Sequence, residues 1–163
     1  MSITAPLSQH HKYCDELFAD AEDACANGDW ASGEQAFARL LEQLETHFTG
    51  EEELLFPAFE AATGMTSGPT EIMRGEHRQM RELLAQMKGA LACHDGDVFG
   101  GAAETLLILM QQHNMKEENI LYPMCDRALG SSDVGASLAE RLKTPVSVPA
   151  DTGFVGVGRS GHS

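Results

Sequence analysis

Two histidine–glutamate pairs in the chain have a spacing that suits metal ligands on a helix. His47 precedes Glu51 and His113 precedes Glu117 by four residues, so each pair lies on one helical face, one turn apart. The pairs lie in two similar stretches, HFTGEEELLFP and HNMKEENILYP, which agree at 5 of 11 positions. Imidazole nitrogen and carboxylate oxygen together favour iron, manganese or zinc over calcium.

The two stretches belong to a longer repeat with an offset of 66 residues and no gap. At this offset His11 corresponds to His77, and His47 corresponds to His113. Within each half, the two histidines are separated by 36 residues. We infer a duplicated helical hairpin, and we expect its two copies to form a bundle with pseudo-two-fold symmetry.

The elements that carry these residues are predicted to be helices. Ala, Leu, Met, Glu and Gln are frequent, and short turns rich in Gly, Asn, Asp or Ser divide the chain. Asp29 suits a helix N-cap and Pro69 a first helical turn. The predicted helices cover 7–26, 30–61, 70–93 and 98–129. Their short connections indicate an all-α, up-down-up-down four-helix bundle.

Polar residues interrupt the apolar stripe of each predicted helix. The stripes follow steps of three and four residues, and those of the second and fourth helices are predicted to end at Ala58 and Met124. Buried carboxylates without a partner cost several kcal/mol, and no lysine or arginine lies on any stripe. The alternative is a polar core without metal. We instead predict two metal ions near the bundle axis, bound by His11, His47, Glu51, His77, His113 and Glu117.

Over about residues 7–129 the chain resembles the hemerythrin-like (HHE cation-binding) family. The motif H-x-x-x-E-E-x-x-L-[FY]-P occurs twice, and HHKYCDELF and GEHRQMREL supply the other two histidines. No glutamate lies three residues before any histidine, which excludes the Glu-x-x-His pattern of the ferritin-like bundles. The resemblance implies a four-helix bundle around two non-haem iron ions. By position, the four histidines would be iron ligands, and Glu51 and Glu117 would be bridging carboxylates.

The sequence departs from the oxygen-carrying hemerythrins in the third helix. Those proteins have a further histidine there, whereas this chain has Met73 four residues before His77 and Arg81 four residues after it. The set of four histidines and two glutamates is more similar to di-iron proteins associated with iron–sulfur cluster repair and nitric oxide stress. Those proteins often carry a cysteine-containing N-terminal module, for which we expect no counterpart here.

We therefore expect a protein that binds or senses O₂, NO or peroxide at a carboxylate-bridged di-iron centre. An enzyme that removes peroxide, or that donates iron for iron–sulfur cluster repair, is the alternative, and iron storage is a third reading. No nucleotide loop or nucleophilic triad is present, so we expect binding or sensing rather than catalysis on an organic substrate.

Residues beside the predicted ligands are expected at outer positions. We expect His10 at the edge of the bundle, because it points about 100° away from His11. Tyr122 is expected to pack or to form an outer hydrogen bond. Outer contacts or solvent exposure are also expected for three glutamates, one of which could instead occupy the place left by Met73: Glu52, Glu76 and Glu118.

Composition restricts the partners and the cellular location. The net charge of −14 disfavours nucleic acid and anionic membrane surfaces. Four cysteines without a CxxC pair indicate reduced thiols of a cytoplasmic protein. The start, MSITAPLSQHHKY, does not read as a signal peptide, and no apolar stretch is long enough to span a bilayer. We predict a bundle domain over residues 1–129 and an irregular tail over 130–163, with a short helix at 138–142.

Overall fold

The computed structural model describes residues 2–145 and shows four long helical rods joined by short turns. The elements of the rods are α1 (Thr4–Ala26); α2 (Trp30–Gly50), a π-helical turn π1 (Glu51–Leu55) and α3 (Phe56–Thr63); α4 (Pro69–Ala92); and α5 (Gly96–Lys116), a second π-helical turn π2 (Glu117–Leu121) and α6 (Tyr122–Leu129). Helix α1 packs against α2 and α5, and α4 packs against the same two helices. The rods therefore close into a bundle, and the predicted all-α fold is confirmed.

The helices begin where the turn residues predict. Asp29 caps α2 by accepting a hydrogen bond from the backbone N–H of Ser32 at 3.2 Å. Asp95 caps α5 in the same way, with the N–H of Val98 at 3.1 Å. Pro69 is the first residue of α4, where its missing N–H is not needed. These caps place the starts of α2 and α5 at equivalent points of the two hairpins.

Two apolar clusters fill the bundle, one on each side of the polar residues of the stripes. The larger cluster lies towards the α1–α2 and α4–α5 turns and includes Phe37 and Leu84. The smaller cluster occupies the opposite end and includes Phe56 and Phe59. Leu138, from a seventh helix α7 (Val134–Lys143), completes the smaller cluster. The polar residues therefore lie in a layer that is closed by apolar packing on both sides.

Both rods that carry a histidine–glutamate pair contain a π turn, and the glutamate of the pair is the first residue of that turn. In π1 the backbone N–H of Phe56 donates to the carbonyl of Glu51, five residues back instead of four. Tyr122 makes the equivalent bond in π2, and the second residue after each turn is a proline. Proline cannot donate a backbone hydrogen bond and its ring crowds the preceding turn, so a wider turn accommodates it.

The π turns also correct the predicted stripes. Ala58 and Met124 were expected in the core, but both are only half-buried. Phe59 and Cys125 are fully buried instead. A π turn contains an additional residue, so a 3.6-residue repeat counted through it points one position too early.

The C-terminal part is helical over a longer stretch than predicted. Instead of a short helix at 138–142, α7 covers Val134–Lys143 and packs on α2 and π1. The irregular tail predicted beyond it lies, from residue 146 onward, outside the described residues, and the domain boundary after residue 129 stays a prediction. Among the described residues, no helix has the length and apolar character needed to cross a membrane.

Candidate metal centre

All six predicted ligands meet in the polar layer between the two apolar clusters. The most exposed of them, His11, has 6% of its surface accessible, and Glu51 and Glu117 have 0%. Each rod contributes one histidine, and π1 and π2 each contribute one glutamate at their first residue. The repeat in the sequence thus becomes a cluster in space.

The donor atoms form two groups that share the two carboxylates. The first group contains His11 and His47. The Nε2 atom of His11 lies 3.1 Å from Oε1 of Glu117, and Nε2 of His47 lies 3.2 Å from Oε2 of Glu51. Both imidazoles of this group therefore face carboxylate oxygens through the same ring nitrogen.

The second group contains His77 and His113. The Nε2 atom of His77 lies 3.0 Å from Oε1 of Glu51, and Nε2 of His113 lies 3.3 Å from Oε2 of Glu117. Each glutamate therefore directs one oxygen to each group. A carboxylate that bridges two metal ions has this arrangement.

These distances fit donor atoms around a cation. Two ligands at right angles with bonds of about 2.1 Å lie about 3.0 Å apart. Buried polar atoms are almost always hydrogen-bonded, but the four donor atoms of the second group have no such partner. Those atoms are Oε1 of Glu51, Nε2 of His77, Nε2 of His113 and Oε2 of Glu117. A metal ion would satisfy all four, so the residues present fit a bound cation.

Three of the four imidazoles contact a carboxylate through Nδ1, the ring nitrogen that faces away from the centre. Their Nδ1 atoms lie 2.7 Å from a carboxylate oxygen, in the pairs His11 with Glu118, His77 with Glu52 and His113 with Glu76. Such an outer partner fixes the ring orientation and directs Nε2 to the metal. The three glutamates thus occupy outer positions, and none takes the place of Met73, which lies in the smaller apolar cluster.

His10 serves the fourth imidazole, and the prediction that it lies at the bundle edge is wrong. It is buried, with its Nδ1 2.9 Å from Nδ1 of His47 and its Nε2 2.9 Å from Oε1 of Gln43. Burial, with a contribution from His47, lowers the pKa of His10 to about 4, so the ring is neutral near pH 7. If Nε2–H of His10 donates to Gln43, its Nδ1 accepts from His47, whose Nε2 is then free to bind metal.

The charge states of the histidines and glutamates in the centre depend on their contacts with one another. Burial alone would lower the pKa of His113, but Glu117, Glu76 and Glu51 raise it to about 10. Burial alone would raise the pKa of Glu51, but His47 and His77 hold it well below its ordinary value. Without metal, protons on histidines balance the buried carboxylates; a metal ion can take over that role.

Tyr122 lies among the donor atoms of the centre. The sequence predicted only packing or an outer hydrogen bond for this residue. Its side chain is fully buried, and its hydroxyl lies 2.5 Å from Oε2 of Glu51 and 2.7 Å from Oε1 of Glu117. The same oxygen lies 3.2 Å from Nε2 of His11 and 3.2 Å from Nε2 of His47. Burial and the two carboxylates raise the pKa of Tyr122 well above its ordinary value, so without metal the phenol keeps its proton.

A small, partly open cavity adjoins the centre. Its volume of about 10 Å³ corresponds to about one water molecule. Both groups contribute to its wall, and the remaining lining is mostly apolar: His11, His47, His113, Asn114, Cys14, Leu44, Phe48, Met80 and Met110. A molecule of two or three atoms is therefore the largest that could approach here without moving side chains.

Two cations near the surface hold outer carboxylates in place. Arg81 binds Glu45 and Glu52, with Nε and Nη1 each 2.8 Å from a carboxylate oxygen. Lys116 pairs with Glu76. Burial opposes ionisation of Glu52, but hydrogen bonds from His77 and then Arg81 lower its pKa to about 2. Hydrogen bonds from His113 and then Lys116 likewise lower the pKa of Glu76, so both carboxylates remain acceptors for the imidazoles of the centre.

The fold and the site together define a helical-bundle protein with a histidine–glutamate site suited to metal. The chain belongs to the hemerythrin HHE cation-binding domain family, whose model matches residues 2–125. The resemblance inferred from the sequence is thereby confirmed.

Two curated relatives share the name iron-sulfur cluster repair protein YtfE. The protein of Escherichia coli O81 (strain ED1a) is 30% identical over 93 residues, which cover 52% of this chain and 42% of that protein. The protein of Escherichia fergusonii is 29% identical over 93 residues, with the same coverage. The chain thus matches less than half the length of these relatives. No solved structure matches the chain significantly.

Proposed function

We propose that the chain binds two iron ions between Glu51 and Glu117 and uses them to bind or sense O₂, NO or peroxide. His11 and His47 complete the first position, and His77 and His113 complete the second. The observation that carries the proposal is the pair of carboxylates, each with one oxygen directed to each group of donors. Membership of a cation-binding domain family, matched over residues 2–125, supports metal binding by this chain.

The chain's own residues orient and protect the site. When bound, iron supplies the change of oxidation state and the coordination position that the small ligand needs. Glu52, Glu76 and Glu118 fix the rings of three histidines, so that the nitrogens converge before metal arrives. The apolar clusters above and below exclude bulk water, which strengthens the attraction between carboxylates and cations.

The class of ligand follows from the cavity. It has room for about one water-sized molecule, and apart from the three histidines and Asn114 its wall is apolar. A diatomic molecule or peroxide is small enough to reach the centre with side-chain motion alone. These observations favour a small inorganic ligand.

The test is anaerobic reconstitution with ferrous iron, followed by iron quantification and optical spectra before and after O₂, NO or peroxide is added. We expect two iron ions per chain and a spectral change with at least one of the three ligands. Clearly fewer than two ions per chain would contradict the di-iron centre. Two ions without any spectral change would contradict the role in binding or sensing.

Donation of iron for iron–sulfur cluster repair is a second candidate, because both relatives carry that function in their name. Incubating the iron-loaded protein with an iron-depleted cluster protein distinguishes the two. Transfer of iron with recovery of the cluster spectrum favours donation. Retention of both ions in the presence of the acceptor favours binding or sensing.

A further inference from the structure

The phenol oxygen of Tyr122 lies inside the first group of donor atoms. Four atoms surround it at 2.5–3.2 Å, one each from His11, His47, Glu51 and Glu117. These are the separations expected between ligands of one metal ion, about 3.0 Å for adjacent donors. The phenol oxygen therefore has the position of a further donor to the ion that this group would hold.

The single proton of the phenol cannot serve both carboxylates in this arrangement. A phenol has one proton, so it can donate fully to either Glu51 or Glu117, not to both. Whichever carboxylate does not receive the proton then faces a phenol lone pair at 2.5 or 2.7 Å without a positive charge between the oxygens. A cation among the five atoms attracts all of them at once.

The rest of the fold holds the phenol in this position. Tyr122 is the first residue of α6, directly after π2, and its backbone N–H donates to the carbonyl of Glu117. Its ring stacks against His11, with centroids 5.7 Å apart, and has no exposed surface. Because the ring cannot turn towards solvent without opening the bundle, its hydroxyl stays directed to the donors.

Within residues 2–145, the second group of donors has no such oxygen. At the repeat offset of 66 residues, Phe56 corresponds to Tyr122. Its ring stacks on His77, with centroids 5.7 Å apart, and it carries no hydroxyl. The two metal positions thus differ in one protein donor, although their histidines and carboxylates match.

We propose that the phenol oxygen of Tyr122 is a fifth protein ligand of the ion at the His11–His47 position. This inference rests on the proposed di-iron centre and adds a donor that makes its two positions unequal. On binding, the phenol O–H bond breaks, a metal–oxygen bond forms, and the proton leaves to water. The positive charge of the metal replaces that proton between the two carboxylates.

The test is the visible and resonance Raman spectrum of the ferric protein. The chain is loaded with ferrous iron under argon, oxidised with ferricyanide and desalted, and its iron is quantified. The chain has only two tyrosines, so Tyr122→Phe is compared with Tyr13→Phe, which changes a ring that is 39% exposed. We expect a tyrosinate-to-iron charge-transfer band in the natural protein and in Tyr13→Phe, and none in Tyr122→Phe.

Iron content separates this inference from the proposal on which it rests. Two ferric ions per chain without a tyrosinate band, or a band that persists in Tyr122→Phe, would overturn the phenol ligand alone. Failure of the natural protein to bind two ions would overturn both. Because Phe occupies the corresponding place in the other half of the bundle, we expect Tyr122→Phe to fold, and its circular dichroism spectrum checks this.

Discussion

The four histidines of the centre are oriented by two kinds of outer partner. Three have a carboxylate at Nδ1, whereas His47 has the neutral ring of His10. At the repeat offset, His10 corresponds to Glu76, which holds His113. The duplicated hairpin therefore keeps the position of the outer partner and changes its chemical type. An imidazole held by a neutral acceptor is a weaker base than one held by a carboxylate.

At the residue scale, His10→Leu should weaken metal binding at the first position. It removes the hydrogen-bond partner of His47 and leaves that ring free to rotate, and loss of such a partner lowers metal affinity about 10–100-fold. Titration of the metal-free protein with Mn²⁺ in a calorimeter measures the effect. His10→Glu, which copies Glu76, is the matched control and should retain affinity. Equal affinities of His10→Leu and the natural protein would show that His10 does not position His47.

That the six side chains of the candidate site meet could be predicted from the sequence, but their surroundings could not. A gapless repeat with polar residues on apolar stripes indicated which side chains point inward. Periodicity along one helix cannot tell that His10 lies against α2, because that depends on how closely α1 and α2 pack. The signal that was available is the repeat itself, which pairs His10 with Glu76 and Tyr122 with Phe56.

At the element scale, each π turn connects a glutamate shared by both groups of donors to the smaller apolar cluster. Glu51 and Glu117 are the first residues of their turns, and Phe56 and Tyr122 are the residues directly after them. The additional residue of a π turn rotates the following helix, so Phe59 rather than Ala58 enters the core. Sequence periodicity assumes regular α-helix, which is why it located the glutamates correctly and the residues beyond them one position early.

The close approach of α1 and α2 gives a prediction about glycine. A Cβ atom added to Gly33 would lie 2.7 Å from Sγ of Cys25, whereas one added to Gly100 in α5 meets nothing within 4 Å. Gly100→Ala should therefore stabilise the protein by up to about 1 kcal/mol through helix propensity. Gly33→Ala should be less stable than Gly100→Ala by about 1–3 kcal/mol, because overpacking opposes the same gain. Urea unfolding of both variants measures the difference, and equal midpoints would contradict the packing described for Gly33.

At the scale of the whole molecule, the centre joins the two hairpins. Each group of donors draws its histidines from one hairpin, while each glutamate contributes to both groups. Metal bound there cross-links residues that are otherwise far apart in the chain. Folding and metal binding should therefore be thermodynamically coupled.

This coupling predicts that metal stabilises the fold. A metal ion at a free concentration of about 100 times its dissociation constant adds about 2.7 kcal/mol per site to the free energy of unfolding. This raises the melting temperature by several degrees. Glu117→Gln should lose most of this increase, because it removes a charged donor from both positions. Glu53→Gln is the control, since Glu53 lies in π1 but its side chain is 60% exposed and pairs with Arg141. Thermal unfolding with and without ferrous iron measures both, and an unchanged increase in Glu117→Gln would contradict the shared carboxylate.

The carboxylate-bridged pair of metal positions is tested most directly by diffraction from crystals of the iron-loaded protein at the iron absorption edge. We expect two anomalous peaks within the bundle, both between Glu51 and Glu117, one next to His11 and His47 and the other next to His77 and His113. A single peak, or peaks away from the two glutamates, would contradict it.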